Sequence, residues 1–122
     1  MFGDYKFVRT KNGKTSFAKI AVISTPNSAW QISWSPELPN YFSSEYDSAI
    51  RQAIEFISDE HKKRNGTPRN IEMNLFEDSV VDTNLDAVMC AAAMAIWKSL
   101  GYLESEIEFI FDERWQPTFK FP

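Results

Sequence analysis

The chain has 122 residues, 43% hydrophobic, 25% charged and 15% aromatic, with a formal net charge of −4, a composition that excludes a disordered polar chain. Its length suits one domain, residues 1–122, with enough core to fold without staples. The single cysteine, Cys90, excludes an internal disulfide, and the single histidine, His61, leaves no scope for a clustered His and Cys metal site.

Taken from the start, Tyr5 to Thr10 and Ser16 to Ser24 are rich in aromatic and branched residues. They flank Asn12-Gly13, a pair that tolerates positive φ and so signals a hairpin. Trp30, Ile32 and Trp34 alternate with Gln31 and Ser33, which predicts a third, half-buried strand and a three-strand meander. Pro36 and Pro39 make the loop that follows.

The first helix is predicted from Tyr46, Ala49, Ile50, Ala53, Ile54 and Ile57, which recur at helical spacing and form one apolar face. Ser44 is placed to cap its start, and His61, Lys62, Lys63 and Arg64 suit the negative end before Asn65-Gly66. A fourth strand follows over about Asn70 to Phe76, with Ile71, Met73 and Leu75 alternating with Glu72 and Asn74. The second helix is predicted to be capped by Thr83, with Asp86 three residues later, and to stop at Gly101. It is apolar nearly all round and is expected to be buried, Cys90 included. The last strand is predicted around Ile107, Phe109 and Phe111, with the tail packing back.

This order, βββαβαβ, implies an α+β two-layer sandwich with the helices on one face of a mainly antiparallel sheet. Val80-Val81-Asp82-Thr83, followed by the alanine-rich helix Asn84 to Leu100, resembles the strand-to-helix junction of elongation factor G domain IV and its ribosomal-protein relatives. That resemblance implies a fold and transfers no functional residue.

No catalytic constellation is visible. His61 lies in a His-Lys-Lys-Arg run at a helix end, better suited to capping than to proton transfer. The four glycines are too dispersed for a phosphate loop, and Glu77, Asp78 and Asp82 lack the spacing of a calcium loop. The expectation is therefore a protein that is not an enzyme and has no metal and no cofactor. Met1 to Thr10 is polar and charged rather than an apolar signal run, and Ala87 to Trp97 is too short to cross a bilayer. A cytoplasmic protein without a membrane partner is expected.

Charge is what remains. Residues 70 to 122 carry ten acids against three bases, and residues 1 to 69 carry ten bases against seven acids. Glu104, Glu106 and Glu108 recur every two residues and would project from one face of the last strand region. Asp112 extends that face, Glu72 joins it if the fourth and last strands meet, and Trp115 or Tyr102 would supply aromatic anchors. The plainer reading of these residues is a solvated or edge-protecting face and core packing. The sharper one is a docking surface for a basic protein.

By small size, acidity and lack of catalytic motifs, the chain resembles the intracellular immunity proteins that neutralise bacterial toxins. This resemblance implies a toxin partner, often a basic nuclease, whose functional surface is occluded. The alternative is a nucleic-acid-binding module that uses the basic hairpin, with Lys6, Arg9, Lys11, Lys14 and Lys19 beside Tyr5 and Phe7.

Overall fold

A computed structural model describes residues 1–11, 14–39, 41–77, 84–111 and 117–121; the side chains of residues 11, 14, 41, 43, 75 and 77 are outside that description. The elements in order are β1 (Phe2–Lys11), β2 (Lys14–Pro26), β3 (Gln31–Trp34), α1 (Tyr41–Lys63), β4 (Arg69–Glu77), α2 (Leu85–Ser99), a 3-10 turn (Glu104–Glu106), β5 (Glu108–Phe111) and β6 (Pro117–Lys120). The expected α+β architecture is present. Strands β1 to β4 form a mainly antiparallel sheet in the order β1-β2-β4-β3, and both helices pack on one of its faces.

Strands β1 and β2 pair antiparallel from Phe2↔Ile23 to Lys11↔Lys14, in keeping with the hairpin expected around Asn12-Gly13, which lie outside the described residues. The three-strand meander is not formed, because β3 leaves β2 and pairs parallel with β4, Ile32 beside Ile71 and Trp34 beside Met73. The physical reason is connectivity. Helix α1 runs between β3 and β4 in sequence and supplies the crossover that parallel neighbours require.

The apolar face read for α1 is the one that packs: Ala49, Ile50, Ala53 and Ile57 are fully buried, and Tyr46 and Ile54 nearly so. The helix starts at Tyr41, upstream of the cap read at Ser44, because Phe42 is buried against Phe76, their ring centroids 4.7 Å apart. It ends as expected at Asn65, which is left-handed at φ 66°, with the Gly66 N–H donating to the His61 carbonyl. The cap of α2 is Asn84, whose Oδ1 accepts from the Ala87 N–H at 2.8 Å; the expected cap, Thr83, lies outside the described residues.

Helix α2 is the centre of the molecule. It lies on β1 and β2 and against α1, and it is buried along nearly its whole length, with Trp97 fully enclosed. The close approach rests on Gly3 of β1, where a Cβ would run into the Ala95 carbonyl and the Ser99 backbone. Strands β5 and β6 make a separate antiparallel pair across α2. Phe109 reaches Tyr5 and Phe7 of β1, Phe119 reaches Phe56 of α1, and Phe121 packs on Trp97. The tail therefore does pack back, and it does so as a sixth strand beyond the five that the pattern predicts. Among the described residues, no helix is long and apolar enough to cross a membrane.

Candidate partner-binding surfaces

The acidic row is not one strand face. Glu104 and Glu106 lie on the 3-10 turn, and only Glu108 is on a strand. The turn forms because Glu106 Oε2 accepts from the Leu103 N–H at 2.9 Å, closing the backbone around Glu104. Glu104 and Glu106 each meet a base, and Glu108 has one as its register neighbour. Glu104 accepts from Lys98 Nζ at 2.9 Å, Glu106 lies 3.4 Å from an Arg64 nitrogen, and Glu108 is paired across strands with Lys120.

Glu72 does not join them. Strand β4 is flanked by β2 and β3, and Glu72 points to the sheet face opposite the helices, whereas β5 packs on the helix side. Asp112 and Trp115 lie outside the described residues. Tyr102 is half-buried, its hydroxyl 2.7 Å from His61 Nδ1 and its ring 4.1 Å from that of Trp97.

The turn and β5 also expose apolar surface, which no candidate residue in the sequence covers. Leu103 is 66% exposed and Ile110 43% exposed, next to the exposed Glu104 and Glu108. The signal was available for Ile110, which follows Glu108 at period two; Leu103 has no pattern to betray it.

The basic cluster is divided between two faces. Lys6 and Lys19 are opposite each other on the open sheet face, and Lys6 Nζ lies 5.8 Å from the Phe17 ring centre. Arg9 is on the helix side, stacked 3.4 Å over Phe111, and Tyr5 and Phe7 pack there against Phe109. The aromatics expected to accompany the lysines are thus in the core layer, and Phe17 takes that place. The side chains of Lys11 and Lys14 are not described.

His61 is not a solvated cap, being 4% exposed. Nε2 lies 3.0 Å from the Thr67 carbonyl, which can only accept, so the proton is on Nε2 and Nδ1 accepts from the Tyr102 hydroxyl. Burial holds its pKa below 6.5, against the opposing Thr67 bond and with help from Arg69. Both ring nitrogens are engaged, which suits a structural link rather than a base or ligand. Beside it, Trp30, Ser58, Asp59, Lys62, Thr67 and Pro68 line a cleft of about 350 Å³. Burial also pushes the Cys90 thiol up to about 12, aided by Asp86 and opposed by Arg9. Among the described residues, no cluster of three or more His, Cys, Asp or Glu is placed to hold a metal.

No family model matches the chain, and no curated protein matches it. Among solved structures, it is similar to ttk003000868 from Thermus thermophilus, with a TM-score of 0.58 and 17% identity, over 80% of this chain and 15% of that one. At that identity the likeness concerns the fold alone, and the chain spans only 15% of that neighbour's length.

Proposed function

We propose that the protein is a non-catalytic inhibitor of the immunity type, which binds a basic partner, such as a nuclease toxin domain, through the 3-10 turn and β5. The observation that supports this reading is the exposure of Leu103 and Ile110 beside Glu104 and Glu108, in the part of the chain that carries the acidic excess. Acidic excess attracts a basic partner over about a Debye length, roughly 8 Å at physiological salt. Buried contact then comes from the apolar side chains. Because Lys98 already pairs with Glu104, a partner's arginine would have to displace that lysine, which an exposed, weak ion pair permits. The likeness to elongation factor G domain IV belongs to this proposal as a scaffold only.

A second reading is favoured by Lys6, Lys19 and Phe17 on the open sheet face, a basic and aromatic surface of the kind that holds single-stranded nucleic acid. The two are separated by capture from a lysate of the source organism at low and moderate salt, followed by titration of the purified partner. An inhibited basic protein whose affinity falls at least about tenfold with Glu104→Lys/Glu108→Lys supports the first reading. Nucleic acid released by Lys6→Glu/Lys19→Glu, with no such protein, replaces it with the second.

A further inference from the structure

Strand β1 is an edge strand of ten residues. Its hydrogen-bonding parity is fixed by the Ser24 N–H, which donates to the Met1 carbonyl at 2.7 Å, making Met1↔Ser24 a hydrogen-bonded pair. Odd-numbered residues of β1 therefore bond to β2, and the backbone groups of Phe2, Asp4, Lys6, Val8 and Thr10 point away from the sheet. The Asp4 carbonyl shows that direction, since it accepts from Lys98 Nζ at 2.9 Å. Among the described residues, the outward groups of Phe2, Lys6, Val8 and Thr10 have no backbone partner.

The same even-numbered residues put their side chains on the open face, where Phe2 is 58% and Val8 52% exposed. Lys98 caps one outward carbonyl, and the charges of Asp4 and Lys6 stand on the same open face, where they oppose pairing in any register that sets like against like.

We infer that β1 pairs antiparallel with β1 of a second copy, about a twofold axis at Tyr5, joining the two sheets into one. The register follows from charge. With Tyr5 opposite Tyr5, Asp4 faces Lys6 of the other copy and Phe2 faces Val8, and the twofold repeats both pairs. A shift by one pleat in either direction would place Lys6 opposite Lys6 or Asp4 opposite Asp4, so like charges oppose the neighbouring registers.

All of these cross-copy pairs are between outward-bonding residues, as an antiparallel hydrogen-bonded ladder demands. Because Val8 is beside Phe17 and Phe2 beside Ile23 within each copy, the pairing builds an apolar row Phe17, Val8, Phe2, Ile23 across four strands. Lys98 gives up the Asp4 carbonyl to the Lys6 amide of the other copy and keeps its bond to Glu104.

Sedimentation equilibrium on the full chain, up to about 1 mM, tests this. The expected result is a reversible monomer and dimer equilibrium. Val8→Lys, Asp4→Lys and Lys6→Asp should each weaken association at least about tenfold, and the exchange Asp4→Lys/Lys6→Asp should restore most of it. Lys98→Met, which clears the edge, should strengthen it. A monomer at every concentration overturns the inference, as does a dimer indifferent to these substitutions or not recovered by the charge exchange. If Asp4→Lys alone disturbs folding through its contact with Lys98, Lys6→Asp reads the same cross-copy pair, with far-UV circular dichroism confirming its fold.

Discussion

Three residues hold more of the structure than their size suggests, and each makes a different prediction. At Gly3 the obstacle to a side chain is backbone, the Ala95 carbonyl and the Ser99 amide, which has no rotamer to yield. Gly3→Ala should therefore destabilise by roughly 3 kcal/mol, read from urea unfolding. His61 is neutral in the fold with its pKa held below 6.5. As pH falls through 6.5 the unfolded chain takes up the proton first, so stability is lost between 6.5 and the lower folded value and levels off below it. Unfolding midpoints at about pH 7.5 and about pH 5 should show that loss in the wild type and a smaller one in His61→Gln. Cys90, enclosed in α2 with its thiol raised to about 12, should resist iodoacetamide at about pH 8 in the native protein and react in urea, as mass spectrometry will show.

Local signals define each helix, and packing adjusts its ends. Asn84 closes α2 at its start and also donates from Nδ2 to Ser16 Oγ at 3.0 Å, tying the helix to β2. Asn84→Ala should cost about 1 kcal/mol of stability in urea unfolding. The sequence pattern offers Thr83 where the structure uses Asn84, since Thr and Asn are both good caps and adjacent positions cannot be ranked without the turn geometry. The six-residue apolar face of α1 was legible in full because helical periodicity is a local property. The parallel pairing of β3 with β4 was not, because alternation in Trp30, Ile32 and Trp34 says which way side chains point and nothing about which strand lies alongside.

At the scale of the molecule, the acidic C-terminal part and basic N-terminal part are interleaved by the fold. Lys98 meets Glu104 and Asp4, and Arg64 meets Glu106 and Glu60 while lying over the Trp97 and Tyr102 rings. What acts at a distance is then the net charge of −4 rather than a set of free carboxylates. If a basic partner is steered in this way, its association rate in stopped flow should fall several-fold between low and physiological salt, with dissociation nearly unchanged. The candidate site was legible to this limited extent: the charge imbalance is a sum over residues, whereas the turn at Glu104–Glu106 depends on one carboxylate capping one amide.

The sequence by itself determined the α+β class, both helices, the β1 and β2 hairpin, the burial of Cys90 and the excess of acid in the C-terminal part, because each is a local pattern or a sum. The tertiary structure alone decided which strands are neighbours, that Tyr5 and Phe7 turn to the core layer while Phe2 and Val8 face outward, and that His61 is enclosed. Those outcomes depend on which segments meet across the chain, and the contacts that select them join residues far apart in sequence.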